Sequence, residues 1–335
     1  MLHSRRRRTR GGPARTLLVS RCLFAACALA LGCAPGDPDP APTDRRPDAR
    51  VDDAAAAGAI VVIDDVGRTV RLPRPARRVV SLIPAQTEVV KLLAGAGALV
   101  ARTAWDQDPE LAHLPSTGNA LTPSVEWLAA QRPDLVIAWP DQQARSVIAQ
   151  LAAMDIAVYA SAVETLADVD SMIVRLGALL GRRDAADTLR ATLHAELDAV
   201  RALVAGRARP LTFYALSVDP PMAATRRTYI GELLEIAGGT NVFPDLPTAW
   251  AQVSLEEVLR RGPQVIIRPL EEPRGATLAR LRAIPGWRDL PAVRDARVHE
   301  VDADLLNRPG ASLGEAARVL ARALHPDAFR TGPPR

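Results

Sequence analysis

Two short segments of the sequence each place a Glu two residues after a Ser, at the start of a predicted helix. One reads PSVEWLAAQRPDLVIAW from Pro123, and the other reads VSLEEVLRRGPQVIIRP from Val253. Ser is a good N-cap, and a carboxylate in the first turn favours the helix dipole. Glu126 and Glu256 can therefore serve helix stability alone. As a matched pair of exposed carboxylates, they can also dock onto a two-fold symmetric basic partner.

The second of these helix starts carries a further signal. Glu257 follows Ser254 by three residues, which is the spacing of a capping box. In that motif the side chains of the two residues each bond to the backbone N–H of the other. We therefore expect Ser254 and Glu257 to cap this helix reciprocally.

Three Trp residues lie at predicted loop edges: Trp105 and Trp139 at the ends of predicted strands, and Trp250 in the segment TAWAQVS. A Trp is more often a buried core residue than a ligand contact. The chain is only 4% aromatic, however, so three rings at loop edges favour a binding surface. Flat rings offer a large contact area to a broad apolar ligand. The other two, Trp127 inside a helix and Trp287, are expected to pack in the core.

Sequence signals of catalysis and of metal binding are missing. The chain has no Gly-Lys-Ser phosphate loop, and GAGAL from Gly95 follows a predicted helix rather than a strand. Lys91 is the only Lys, and no Ser-His-acid set is evident. The His residues are scattered, without the spacing of a zinc or manganese site. These features give little support to an enzyme, and the sequence predicts no cofactor and no metal site.

The N-terminal segment MLHSRRRRTRGGPARTLLVSR is basic and precedes the apolar run CLFAACALALG, which is too short to span a bilayer. This order predicts a secretory signal peptide over residues 1–32. LALGC resembles the lipobox of bacterial lipoproteins, which predicts lipidation at Cys33. Removing residues 1–32 takes away seven Arg and turns the formal charge from +4 to −3. The sequence pI of 9.4 therefore does not indicate a nucleic-acid partner.

The rest of the chain shows two stretches of alternating strands and helices, which predict parallel sheets covered by helices. Residues 33–58 are rich in Pro, Asp and Ala and predict a disordered tether. Between the stretches, apolar residues recur at helical spacing without Pro or interior Gly. The fold class is therefore α/β, with two Rossmann-like lobes joined by one long rigid helix. The predicted parts are an N-terminal α/β lobe over 59–180, an inter-lobe helix over 181–206, a C-terminal α/β lobe over 207–328 and a tail over 329–335.

From about Ile60 to Pro326 the chain resembles the substrate-binding proteins of ABC importers for cobalamin, haem and iron-siderophores, which are class III periplasmic binding proteins. The matching segments are DDVGRTVRLPRPARRVVSLIPAQTE, RPDLVIAW, ELLEIAGGTNVF, SLEEVLRRGPQVII and IPGWRDLPAVRDARVHEVD. The resemblance implies a monomer in the periplasm or cell envelope, anchored to the membrane by a lipid at Cys33. It also implies a membrane permease dimer as partner, with Arg residues that form salt bridges with Glu126 and Glu256.

Within that family the chain is most similar to the cobalamin receptors. PTAWAQVSLEEVL matches their Trp-bearing ligand loop, and DPPMAA matches a loop that usually offers Phe. VDADLLNRPGASL matches a late loop in which an Asp and an Arg four residues later contact the ligand. One departure is Ala120, which stands where the family has a Trp. The resemblance implies that cobalamin or a related corrinoid is held by Trp105, Trp139, Met222, Trp250, Asp304 and Arg308.

A ferric siderophore or haem is the alternative ligand. Arg226 and Arg227 follow the Met222 loop, where they could pair with carboxylate or catecholate oxygens of an anionic siderophore. Met222 is also the one convenient axial ligand for haem. A ligand sensor that serves no transporter, and an enzyme built on the same α/β layers, are weaker alternatives.

Overall fold

The computed structural model of the protein describes residues 58–140, 142–270 and 275–330. The predicted signal peptide, the lipidation site at Cys33 and nearly all of the predicted tether lie outside the described residues. Within them, none of the helices is both long enough and apolar enough to cross a bilayer.

The N-terminal lobe is built on a four-stranded parallel sheet in the order β4-β3-β5-β6, preceded by an antiparallel hairpin of β1 and β2. All four residues of β5 are buried, as expected for a central strand with both faces covered. Because the strands are parallel, their carboxyl ends meet at one edge of the sheet. The elements are β1 (Ile60–Ile63), β2 (Thr69–Leu72), β3 (Val79–Ser81), α1 (Pro84–Ala94), β4 (Leu99–Ala101), α2 (Val125–Ala130), β5 (Leu135–Ala138), α3 (Gln142–Ala152) and β6 (Ala157–Ala160).

Two helices follow without an intervening strand: α4 (Leu166–Leu179) and α5 (Arg183–Val204). α4 begins with a complete capping box between Thr165 and Asp168. The buried residues of α5 recur at helical spacing and form one apolar stripe. They are Ala186, Leu193, Leu197, Val200 and Val204.

The C-terminal lobe has a sheet in the order β10-β8-β7-β11-β12, with β9 also paired to β7. β7, β9, β11 and β12 run parallel, whereas β8 and β10 extend the sheet in antiparallel pairs. The elements are β7 (Leu211–Val218), β8 (Pro221–Ala224), α6 (Tyr229–Ile236), β9 (Thr240–Asn241), β10 (Trp250–Gln252), α7 (Leu255–Arg261), β11 (Val265–Leu270), α8 (Ala276–Ala283), α9 (Pro291–Arg294), β12 (Val298–Asp302), α10 (Ala303–Asn307) and α11 (Leu313–Leu324).

α5 packs against α4 of the N-terminal lobe and against α11 of the C-terminal lobe. At each of these two contacts, the helix that packs against α5 carries a Gly. A Cβ at Gly177 of α4 would lie 2.4 Å from the Cβ of Ala186, and one at Gly314 of α11 would lie 2.6 Å from the Cβ of Glu196. One apolar cluster consequently runs through both lobes. The predicted α/β class with a long helix between two lobes is confirmed, and the shared core opposes large movements of one lobe against the other.

Candidate functional site

A cleft of about 420 Å³ lies between the two lobes, at the carboxyl ends of the parallel strands of the N-terminal lobe. The N-terminal lobe lines it with Gln86 after β3, Trp139 after β5 and Ser161 after β6. The C-terminal lobe contributes residues that include Tyr229 and Trp250. Open α/β sheets bind ligands at this edge because loops from several strands converge there. The cleft is therefore the candidate ligand site.

The three Trp residues predicted to bind ligand lie in or beside this cleft. Trp139 and Trp250 line it, one from each lobe. The ring of Trp105 meets that of Trp139 edge to face, with centroids 6.0 Å apart, and Trp105 is 38% exposed. Trp250 is supported from behind by Tyr214, with ring centroids 6.1 Å apart. The fold thus assembles an aromatic surface from segments that are distant in the sequence.

Arg308 also lines the cleft, and it connects the two lobes at its edge. Its guanidinium donates a hydrogen bond of 2.9 Å to the backbone carbonyl oxygen of Trp105 and forms a 2.7 Å salt bridge with Asp304. The side chain of Asp304 is 61% exposed and is not among the lining residues. Asp304 is therefore placed to orient Arg308 rather than to form the wall of the cleft.

Met222 differs from its expected setting. It lies in β8, not in a loop, and it is not among the lining residues of the cleft. Pairing of β8 with β10 sets Ala224 opposite Trp250 and Met222 opposite Gln252, so Met222 and Trp250 share one face of the sheet as diagonal neighbours. Such neighbours lie about 7–8 Å apart. Met222 therefore extends the apolar surface beyond Trp250.

Ala120, for which the resemblance implies a Trp, is not in the cleft. It is only 4% exposed and packs in an apolar cluster of the N-terminal lobe. With Leu82 and Trp139 it borders a small separate void. This position supplies packing beside Trp139 rather than ligand surface.

Polar residues that the sequence did not single out complete the cleft: Gln86, Ser161, Tyr229 and Asn307. The hydroxyl of Tyr229 donates to the carbonyl oxygen of Leu306 over 3.1 Å, and burial raises the pKa of Tyr229. Ser161 directly follows β6, and Gln86 lies in the first turn of α1, shortly after β3. The rule that ligands bind at the carboxyl ends of parallel strands would have found these two, whereas Tyr229 and Asn307 carry no such signal.

A second and larger cavity, of about 530 Å³, lies between the end of α5 and α6. Its lining is charged: Arg201, Arg207, Arg209, Arg226, Glu232 and Glu235. Arg209 forms an ion pair with Glu235, and Glu232 accepts a 2.7 Å hydrogen bond from the backbone N–H of Leu166. We take the cleft as the ligand site, because this cavity does not lie at the carboxyl ends of the strands and part of its charge is already paired.

Glu126 and Glu256 lie in the first turns of α2 and α7, and both are exposed. Ser124 accepts a hydrogen bond from the backbone N–H of Trp127 and donates to the Glu126 carboxylate over 2.9 Å. For each Glu, its own backbone N–H and the preceding Ser hydroxyl hold the pKa of the carboxyl below its usual range. Both groups are therefore charged at neutral pH.

The capping box expected at α7 forms only in part. The hydroxyl of Ser254 accepts from the backbone N–H of Glu257, as expected. The carboxylate of Glu257 instead accepts charge-assisted hydrogen bonds from Arg260 and Arg261, which hold its pKa at about 2. Two guanidinium donors on the next turn compete successfully with one backbone N–H.

A family model described as periplasmic binding protein matches residues 79–305 of this chain. The chain belongs to this family of periplasmic binding proteins. Members are extracytoplasmic binding proteins and not enzymes, and what they hold is a transported substrate rather than a cofactor. This periplasmic binding protein is a substrate-binding component of an ABC importer, which takes up a small ligand and works with a membrane permease.

Two curated relatives support that assignment. A vitamin B12-binding protein of Vibrio cholerae is 29% identical over 239 residues, which cover 71% of this chain and 85% of the relative. The uncharacterized ABC transporter substrate-binding lipoprotein YvrC of Bacillus subtilis is 27% identical over 279 residues, covering 81% of this chain and 87% of the relative.

The solved structures of similar fold belong to proteins that are named for different ligands. The periplasmic vitamin B12-binding protein BtuF of Vibrio cholerae superposes with a TM-score of 0.63 at 28% identity, covering 76% of this chain and 99% of BtuF. The haem-binding protein RhuT of Roseiflexus gives 0.65 at 25%, with coverage of 76% and 99%. A protein of the Fe3+-hydroxamate transport system of Saccharomonospora viridis gives 0.66 at 25%, with coverage of 79% and 98%.

Proposed function

We propose that this periplasmic binding protein binds cobalamin or a related corrinoid between its lobes and delivers it to the permease of its ABC importer. The observation that carries the proposal is the pair Trp139 and Trp250, which face one cleft from different lobes, with Trp105 continuing the aromatic surface. Rigid rings suit a broad macrocycle because they offer contact area at a small cost in conformational entropy. The relatives that bind vitamin B12 support the same ligand.

The chemistry of the cleft favours a corrinoid over haem. Among the described residues that line it there is no His, Met or Cys, the usual axial ligands of haem iron along with Tyr. The hydroxyl of Tyr229 is buried and engaged with Leu306. A corrinoid needs no ligand from the protein, because its cobalt carries its own.

The same cleft gives little support to an anionic siderophore. Arg226 lines the second cavity and not the cleft, and Arg227 is not among the cleft residues either. Arg308 is the one cation among the described lining residues, and it is already paired with Asp304. A multiply charged ferric complex would leave most of its charge without a partner here.

The cleft is too small to enclose this ligand completely. A corrinoid is larger than a cavity of about 420 Å³, so its edges extend through the opening or the lobes separate. The hydrogen bond from Arg308 to Trp105 joins the lobes at this edge and must break on entry. The released guanidinium and Asp304 then meet the polar edge of the ligand, while Met222 adds apolar contact beyond Trp250, outside the lining of the cleft.

The proposal also covers how the protein is anchored in the cell envelope and how it docks onto the permease. Residues 1–32 are removed, Cys33 carries the lipid, and a monomer presents Glu126 and Glu256 to Arg residues of a permease dimer. Both carboxylates are exposed in the structure and have no Arg or Lys partner among the described residues.

Titration calorimetry tests the ligand directly. The mature protein is titrated with cyanocobalamin, haemin and a ferric hydroxamate under the same conditions. We expect saturable heat with cyanocobalamin at micromolar concentration or below, and much weaker binding of the other two. Binding of haemin or the hydroxamate with no binding of cyanocobalamin would overturn the proposal.

A further inference from the structure

Gln86 lies at the start of α1, where it lines the cleft, yet it is only 2% exposed. Its Nε2 donates a 3.1 Å hydrogen bond to the hydroxyl oxygen of Ser161. Its Oε1 is buried and has no hydrogen-bond partner among the described residues. A buried amide oxygen without a partner is costly, so its presence beside a ligand cleft calls for a partner that the protein itself does not supply.

Ser161 and the groups around it hold the Gln86 amide at the cleft. Burial raises the pKa of the neighbouring Asp65 carboxyl, and the Ser161 hydroxyl opposes part of that shift. Asp65 also forms an ion pair with Arg175 and accepts a 2.7 Å bond from the N–H of Ala162. The bond from Nε2 to the Ser161 hydroxyl oxygen uses the NH2 end of the Gln86 amide, so the carbonyl oxygen remains for the ligand.

We infer that Gln86 is a specificity-determining residue, whose Oε1 accepts a hydrogen bond from a carboxamide N–H on the edge of the bound ligand. The inference rests on the proposed corrinoid ligand, since a corrinoid ring carries primary carboxamides around its periphery. Methyl esters at the same positions accept but do not donate, and they leave Oε1 unpaired. Ser161 acts behind Gln86 as a positioning residue, because it accepts the hydrogen bond from Nε2.

The test compares two corrinoids that have the same ring and differ at its periphery. Dicyanocobinamide carries carboxamides, whereas dicyanocobyrinic acid heptamethyl ester carries only esters. Calorimetry gives the affinity of the unaltered protein and of Gln86→Met for each, since Met preserves length and helix propensity but has no amide. We expect the unaltered protein to prefer dicyanocobinamide, and the variant to reduce this preference by about 3- to 10-fold, the size of one net hydrogen bond.

Thr87→Val is the matched control, because it removes a buried hydroxyl next to Gln86 that does not line the cleft. It should leave the preference unchanged. If Gln86→Met does not fold, Gln86→Ala replaces it, and the comparison in the unaltered protein stands by itself. No preference for the carboxamide in the unaltered protein, or the same preference in the Gln86 variant, overturns this inference alone. Failure of the unaltered protein to bind cyanocobalamin and dicyanocobinamide removes the proposed function and this inference together.

Discussion

Trp250 lines the cleft on one side and packs against Tyr214 on the other. It begins β10, a strand of only three residues, and its ring is half-buried between Tyr214 and the cleft. A ring that is held from behind loses little freedom when a ligand covers its other face. Such partly buried aromatic residues commonly carry a large share of binding energy.

Replacement of Trp250 by Leu should therefore weaken binding of cyanocobalamin by roughly 30-fold or more, about 2 kcal/mol. The reason is the loss of flat contact area at a supported position. Calorimetric titration of the purified variant measures the change. Trp127→Leu is the control, since Trp127 packs in the N-terminal lobe away from the cleft. Equal affinities for the Trp250 variant and the unaltered protein would contradict the role of this ring.

His325 makes stability depend on pH. Burial lowers the pKa of its imidazole below the ordinary value, while its hydrogen bond to the carbonyl oxygen of Gly238 opposes the shift. Three nearby cations, Arg207, Arg209 and Arg297, lower the pKa further. The unfolded chain then takes up the proton before the folded chain does, as the pH falls through the ordinary His pKa of about 6.5. The folded state loses stability over that range.

We expect His325→Gln, which keeps a donor for Gly238, to reduce this loss. The free energy of unfolding, from urea titrations at about pH 7.5 and 5.5, should fall less between the two values in the variant than in the unaltered protein. Parallel pH dependences in the two proteins would show that His325 does not titrate on unfolding.

Helix α5 connects the two lobes by packing against one helix of each. Its apolar stripe is buried on both sides, by α4 and by α11. At each contact the opposing helix offers a Gly, so the backbones approach more closely than a Cβ would allow. The packing depends on these two small residues as well as on the stripe.

Gly314→Ala should lower the free energy of unfolding by about 1–3 kcal/mol, the usual cost of overpacking. The added Cβ would lie 2.6 Å from the Cβ of Glu196, which cannot move aside as a side-chain terminus can. Denaturant unfolding measures the difference. Gly97→Ala provides the comparison, because a Cβ there meets nothing within 4 Å, and it should change stability by less than about 0.5 kcal/mol. A Gly314 variant as stable as the Gly97 variant would disprove close packing of α5 and α11.

At the scale of the whole molecule, the two lobes present matching carboxylates. Glu126 begins α2 in one lobe and Glu256 begins α7 in the other, each beside a capping Ser. The continuous core limits movement of one lobe against the other, and so limits changes in the separation of the two carboxylates. A rigid pair of charges of this kind suits a symmetric partner better than two independently moving ones.

The double variant Glu126→Gln and Glu256→Gln should bind cyanocobalamin normally but fail to support its uptake. The physical reason is that docking needs both charges, whereas the cleft contains neither. Uptake of labelled cyanocobalamin in cells that depend on this protein measures the effect, with calorimetry of the same variant beside it. Glu164→Gln with Asp295→Asn removes the same total charge from other exposed positions and should leave uptake intact. Normal uptake by the Glu126 and Glu256 variant would exclude the docking role.

Local patterns predicted the repeated α/β order and α5, because strand and helix periodicity depend on neighbours in the sequence. They also marked the Ser-Glu helix starts, since capping is a local interaction. They did not predict β8 and β10, which are only three or four residues long and show no readable alternation. The resemblance implies a loop around Met222, and β8 corrects that expectation. Local patterns also do not predict the hydrogen bond between Gln86 and Ser161, because these residues are distant in the sequence and the order of strands in the sheet brings them together.

Periodicity along the chain is enough to predict the fold class, and the ordered motifs carry the resemblance to the family and name the residue types available for binding. Which of those residues share a cleft depends on the packing of the folded chain. It joined Trp139 to Trp250, set Arg308 against Trp105 and left Met222 and Asp304 outside the lining. The physical reason is that parallel strands bring their carboxyl ends together whatever their separation in the sequence. The pairing of α5 with both lobes then determines which loops face each other.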